Sequence, residues 1–142
     1  MNITYDDILP VTDYNNLRDA VGWGRLTQKQ AETGIKNSAY VVAAKEDGKT
    51  IGMARVISDG GYVYYIADVV VYPDYQGNKI GKTMMQMIMI HLNSLRGEEE
   101  KLSVNLMAAK GREDFYKQFG FIERPNEQFG AGMCQWIEGK AL

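Results

Sequence analysis

The sequence predicts an α+β fold: a mixed, mostly antiparallel sheet of six or seven strands with helices on both faces. Three observations predict it. Residues 40–72 follow the two-residue period of strands and are broken by the turn signals Asp47-Gly48 and Asp59-Gly60-Gly61, which reads as a meander. Residues 81–95 are a long apolar helix. After a charged connection at 96–101, a strand at 102–107 leads through a short helix to a second extended run from Phe121 and a terminal strand holding Cys134.

The elements follow in order. Ile3-Thr4-Tyr5 is a short first strand. Asp13 is the expected N-cap of a helix through Val21, with Tyr14, Leu17 and Val21 on one face and Gly22 ending it. Thr27 and Gln30 have capping-box spacing and open a second helix. Between the two, Gly22-Trp23-Gly24 sets an aromatic in a flexible hinge, where Trp23 either folds onto the core or walls a pocket. Residues 40–45 and 50–58 pair through the Asp-Gly turn, and residues 62–72 return as the next strand. Strict alternation puts Tyr62, Tyr64, Ile66 and Asp68 on one face and Val63, Tyr65, Ala67 and Val69 on the other, unless a bulge resets the phase. In the long helix, Met84, Met87, Ile88, His91 and Leu95 share a side. The only His therefore reads as a structural residue on an apolar stripe rather than a catalytic one, and the methionines as adaptable core.

A chain of 142 residues is read as one domain, spanning 1–142, that buries about two-thirds of its unfolded surface. A net charge of −2 gives no reason to expect a nucleic-acid partner. The single Cys134 excludes an internal disulfide, and one Cys with one His offers too few soft ligands for a zinc site, so a reducing cytoplasm and a metal-free protein are expected. The N-terminus carries Asp6 and Asp7 and lacks a basic apolar leader. No run reaches membrane-spanning length, so no membrane partner is expected.

Chemistry concentrates between residues 67 and 82. A β-branched strand is stopped by Pro73-Asp74, and Tyr75-Gln76-Gly77-Asn78-Lys79-Ile80-Gly81-Lys82 opens the long helix. The first amides of a helix have no intrahelical acceptor and its dipole is positive there, so an anion is favoured, with Gly77 and Gly81 allowing close approach and Lys79 and Lys82 adding charge. Phosphate or pyrophosphate is the expected ligand. Gly81-Lys82-Thr83 looks like the end of a nucleotide P-loop, but the residue five places earlier is Gln76 rather than Gly, and the dinucleotide pattern Gly-x-Gly-x-x-Gly does not occur.

The stretch resembles the coenzyme A loop of the GNAT superfamily of N-acetyltransferases. Gln76, Ile80 and Gly81 match its pattern, and Lys79 stands where a glycine is usual. About 40 residues later, Phe115-Tyr116-Lys117-Gln118-Phe119-Gly120-Phe121 resembles the family's second signature, an aromatic pair followed by Gly-Phe. Ala109 stands seven residues before Tyr116, where many members carry Asn. Shorter pieces, Ile51-Gly52-Met53-Ala54-Arg55, Asp68-Val69, Tyr75-Gln76-Gly77 and Asp114-Phe115-Tyr116-Lys117, look like parts of plant plastid arylalkylamine (serotonin) N-acetyltransferases and their bacterial relatives.

The resemblance implies acetyl-CoA as cosubstrate and a small-molecule amine as acceptor, with a homodimer allowed for. It implies that strands 62–72 and 102–107 run parallel and splay into a coenzyme A cleft. Pantetheine would pair with backbone at Val69, Val70 and Val71, the pyrophosphate with Gln76, Gly77, Asn78, Lys79, Ile80, Gly81 and Lys82, and the 3′-phosphoadenosine would lie near Lys82. Trp23, Tyr62, Tyr64 and Tyr65 could line an aromatic acceptor slot. Tyr116 is the candidate acid for the leaving thiolate. Asp68 is either the base for the amine or a carboxylate that caps a turn or pairs with Arg55. A protein or peptide N-acetyltransferase, and a coenzyme A sensor without turnover, stay open as alternatives.

Overall fold

The computed structural model describes residues 1–139, which fall into two compact units, 1–106 and 107–139. The first holds β1 (Ile3–Asp6), α1 (Val11–Ala20), α2 (Gln28–Lys36), β2 (Tyr40–Glu46), β3 (Lys49–Ser58), β4 (Val63–Val71), α3 (Ile80–Leu95) and β5 (Ser103–Leu106). Its sheet runs β1-β2-β3-β4-β5. The first three pairings are antiparallel, β2–β3 and β3–β4 as hairpins and β1–β2 across the two helices between them, whereas β4 and β5 are parallel, and α3 supplies the crossover that a parallel pair requires.

The central strands β3 and β4 alternate between two helical layers. Met53 and Val70 face α1 and α2, where they form a buried cluster with Leu9, Tyr14, Leu17 and Ala31. Gly52, one residue earlier, faces the other way. A Cβ there would come 3.2 Å from the Val70 carbonyl oxygen and 3.4 Å from Ile80 Cγ2, so the bare Gly lets the start of α3 settle onto the sheet. The β2–β3 turn has Asp47 at φ 49° and Gly48 at φ 78°, the paired left-handed residues that the Asp-Gly signal calls for.

Several sequence expectations shift by a physical cause. Helix α1 begins at Val11 after Pro10, whose fixed φ suits a helix start; Asp13 sits inside the first turn and accepts from Thr50 Oγ1 at 2.8 Å instead of capping. Its end matches the reading of Gly22. Gly22 has φ 82°, its N–H donates to Asp19 O, and Trp23 N–H donates to Arg18 O, which together make a Schellman close. In α3 the buried residues are Ile80, Met84, Met85, Ile88 and Leu92, so the stripe is rotated from the expected one and leaves Leu95 exposed. His91 lies half-buried at its border and stacks on Tyr40, ring centroids 4.1 Å apart.

The second unit carries α4 (Glu113–Lys117), one residue shorter at each end than the short helix the sequence suggests over 112–118. Phe115 packs edge-to-face on Tyr116 and Phe119, and Tyr116 on Phe121. Among the described residues the sheet has five strands, not six or seven: 121–139 contain none, and Cys134 is exposed outside regular structure. The sequence there explains it. Pro125 cannot donate to a ladder, Asn126 folds the chain into a turn by accepting from the N–H groups of Gln128 and Phe129, and Gly130 and Gly132 weaken any strand beyond.

Candidate active site

The register of β4 breaks at Asp68. Arg55 of β3 pairs with Ala67 but Met53 pairs with Val70, so β4 has one residue too many, and Asp68 absorbs it with φ 55°. Asp and Asn tolerate this left-handed conformation better than other side chains. The bulge turns Asp68 away from the face of Tyr64 and Ile66, where strict alternation would place it, onto the α1/α2 side. There it is surrounded by donors. Its Oδ2 accepts from Arg55 Nε and from the Tyr14 hydroxyl, both at 2.7 Å, and its Oδ1 faces Arg18 Nη1 at 3.5 Å. Of the readings open in the sequence, the ion pair with Arg55 is the one the geometry displays.

Tyr14 and Arg18 carry no motif, and sequence reasoning missed them as site residues. Their i, i+4 spacing on the apolar side of α1 was the available signal. Burial, and then the bond to Asp68, pushes the Tyr14 phenol above its ordinary value near 10. Arg18 reaches further: its Nε donates to Gly24 O at 3.0 Å and its guanidinium lies 5.7 Å from the centre of the Trp23 ring. Trp23, 45% exposed, is thus fastened to Asp68 through Arg18 rather than sunk into the core.

Past the bulge, β4 outruns its neighbour. Pairing with β5 stops at Ile66 and Leu106, while β4 continues through Val69, Val70 and Val71, so within this unit those residues have no ladder partner from β5. The chain then enters a short 3-10 turn at Pro73–Tyr75. Tyr75 anchors it by donating to Glu46 Oε1 at 2.7 Å; Gln76 Nε2 donates back to Val71 O and Asn78 Nδ2 to Tyr75 O. Gly77 at φ 84° and Lys79 at φ 61° are both left-handed, and Lys79 is the residue from which α3 starts. The Thr83 N–H is the one that returns to Lys79 O, which leaves the amides of Ile80, Gly81 and Lys82 as the orphan donors of the first turn. A Cβ on Gly77 would meet nothing within 4 Å, so the loop stands open beside those amides. Donor-rich backbone, a positive helix end, Lys79 and Lys82 fit a pyrophosphate.

A cavity of about 600 Å³ opens on the α1/α2 side, lined by Tyr14, by Arg55 and by Leu26, Lys29, Gln30 and Thr33 among others. The expected aromatic slot is not gathered there. Tyr62 is exposed ahead of β4, Tyr64 is buried on the opposite face, and Tyr65 lies half-buried in β4 between Tyr64 and Ile66. In the second unit Tyr116 is half-buried among Phe115 and Phe121; burial raises its phenol above its ordinary value, and the Arg112 guanidinium offsets part of that rise.

A model of the acetyltransferase (GNAT) domain matches residues 14–136. The chain belongs to the GNAT family. Relatives include an uncharacterized N-acetyltransferase ycf52 of Gracilaria tenuistipitata var. liui, 35% identical over 87% of this chain and 68% of that one. Histone acetyltransferase TAP1 of Glycine max is 32% identical over 81% of this chain and 53% of its own length. A crystal structure of a protein of unknown function from meticillin-resistant Staphylococcus aureus, a probable acetyltransferase, superposes with a TM-score of 0.81 at 32% identity, covering 95% and 98% of the two chains. The chain spans about two-thirds, or less, of the length of the curated relatives it matches. The parallel β4–β5 pair in an otherwise antiparallel sheet is the arrangement that the resemblance implies for these strands. Among the described residues, no helix is long and apolar enough to cross a membrane.

Proposed function

We propose that this GNAT domain transfers the acetyl group of acetyl-CoA to the primary amine of a small molecule by direct attack, without a covalent enzyme intermediate. One observation carries the reading: a bulged β4 that runs past β5 and leads directly into an open, donor-rich loop at the start of α3. Backbone at Val69 to Val71 would hold the pantetheine arm, and an N–H there would polarise the thioester carbonyl as negative charge develops on its oxygen. The amides from Gly77 to Lys82 would hold the pyrophosphate.

An alkylamine with a pKa near 10.4 is under about 0.1% neutral at pH 7, so its proton must leave before attack. We assign that proton to water rather than to Asp68, because donors already occupy both Asp68 oxygens. Asp68 is then a positioning residue that holds the bulge in place. Tyr116, kept protonated by its burial, is assigned the transfer of a proton to the departing thiolate. The lone, exposed Cys134 has no place in this scheme and fits a reducing, cytoplasmic setting. A protein acceptor is the second reading, supported by the name of the histone acetyltransferase relative.

Thiol release measured over amines, polyamines, amino acids and peptides tests the choice of acceptor; release with lysine-containing peptides alone would select the second reading. Gly81→Asp tests the loop. The added carboxylate blocks and repels a pyrophosphate, so acetyl-CoA binding should vanish in calorimetry while circular dichroism stays unchanged. A folded variant with wild-type affinity would remove the loop from the site.

A further inference from the structure

We propose that the acceptor amine carries a second, anionic group, a carboxylate or a phosphate, and that Lys29 and Arg55 hold this group in the cavity beside α2. The inference rests on the acetyl-transfer reading and extends it to the class of acceptor. The site is an open groove of about 600 Å³, with room for more than a bare aminomethyl group. Its lining contains two cations, Lys29 and Arg55, and no acidic residue.

The charge behind the wall does not reverse this sign. Asp68 is the carboxylate nearest Arg55, but Arg18 shares it, so the three side chains together carry one net positive charge before Lys29 adds another. Arg55 is also held rigidly. Its Nε donates to Asp68 and its Nη1 to Gly34 O and Ser38 Oγ, while among the described residues none accepts from its Nη2. A fixed guanidinium with one unused donor nitrogen binds an oxyanion at little cost in ordering. Thr33 and Gln30, on the same side of the cavity, add neutral polar groups.

The arrangement also suits the reacting end. A cationic wall disfavours an ammonium group nearby, so an acceptor anchored by its anion would turn its amine away from Lys29. Arg55 pairs across the sheet with Ala67, one residue before the bulge, which puts the anchor beside the strand whose backbone is proposed to hold the thioester. The same field favours the neutral, nucleophilic form of the amine.

The test uses matched pairs that differ by the anion: ethanolamine against phosphoethanolamine, and phenethylamine against phenylalanine. In thiol release with acetyl-CoA, the anionic member of at least one pair should have a kcat/KM at least about tenfold higher, and which pair shows it separates phosphate from carboxylate. Lys29 is exposed, so its replacement spares the fold. Lys29→Gln should shrink the preference and Lys29→Glu should abolish or invert it. Preference for the neutral member of both pairs, or a preference that survives Lys29→Glu, overturns the proposal. Should no amine release thiol, the transfer reading fails by itself, and the cavity is still read by NMR. Titrating phosphoethanolamine or phenylalanine into the coenzyme A-loaded protein should move the amide signals of Lys29, Gln30 and Thr33 where the neutral amines do not; shifts elsewhere, or none, would overturn the anion site.

Discussion

At the residue scale, two side chains divide the chemistry. A thiol leaving as thiolate has a pKa near 8.5, so a phenol held above 10 remains a proton source throughout the neutral and mildly alkaline range. Tyr116→Phe keeps the ring that packs on Phe115 and Phe121 and removes only the hydroxyl. We expect kcat to fall about 10- to 100-fold with little change in acetyl-CoA affinity, a modest loss because water can substitute. Full kcat over the whole pH profile, with chemistry shown to be rate-limiting, would reduce Tyr116 to a packing residue. Asp68 is a different case, since its carboxylate answers two guanidiniums with side chains only 12% and 15% exposed. Asp68→Asn tolerates the left-handed bulge equally well but leaves Arg18 and Arg55 facing each other without a counter-charge. We expect about 3 kcal/mol of destabilisation in urea unfolding, in the range for breaking a buried pair. A loss under about 1 kcal/mol would show that the pair contributes little. A base role for Asp68 would appear instead as a lost acidic limb in the pH profile of the folded variant, which the positioning role does not predict.

At the element scale, what the sequence disclosed and what it hid follow from the range of the forces involved. Local signals were legible. The Asp47-Gly48 hairpin, Gly22 as a helix terminator, and Thr27 accepting from Gln30 N–H at 3.1 Å are each fixed by a few adjacent residues. The bulge was not, because nothing in Ala67-Asp68-Val69 marks an extra residue until β3 supplies the register against which it is extra. Tyr14 and Arg18 were hidden for the same reason: they meet Asp68 across sequence separations of 54 and 50. The loop before α3 lay between these cases, since its glycines and lysines were visible but the left-handed Lys79 was not. That conformation costs an ordinary side chain about 1 kcal/mol or more and a glycine almost nothing. Lys79→Gly should therefore raise stability by about 0.5 kcal/mol or more and retain acetyl-CoA binding. A collapse in binding with the fold intact would show that the Lys79 ammonium is itself a ligand.

At the scale of the whole molecule, phenols raised by burial or by a carboxylate acceptor make stability fall at alkaline pH. The Tyr14 phenol is raised above 10 by burial and by its bond to Asp68, whereas in the unfolded chain it releases its proton near 10. Below pH 10 both states are protonated and the contribution is complete. As pH rises past 10 the unfolded state ionises first, so stability is lost progressively until the folded phenol also titrates. Tyr40, Tyr72, Tyr75 and Tyr116 are raised as well, so the loss in the wild type is a sum and must be resolved by difference. Tyr14→Phe does this, because it keeps the ring buried and removes both the titration and one donor to Asp68. The variant should be less stable than wild type at pH 7, by about 1 kcal/mol for the lost hydrogen bond, and that gap should narrow as pH is raised from 9 to 11. Urea midpoints at successive pH values measure it. Two profiles that run parallel through pH 11 would mean that the Tyr14 hydroxyl titrates alike in both states, and that its bond to Asp68 does not hold α1 to β4 in solution.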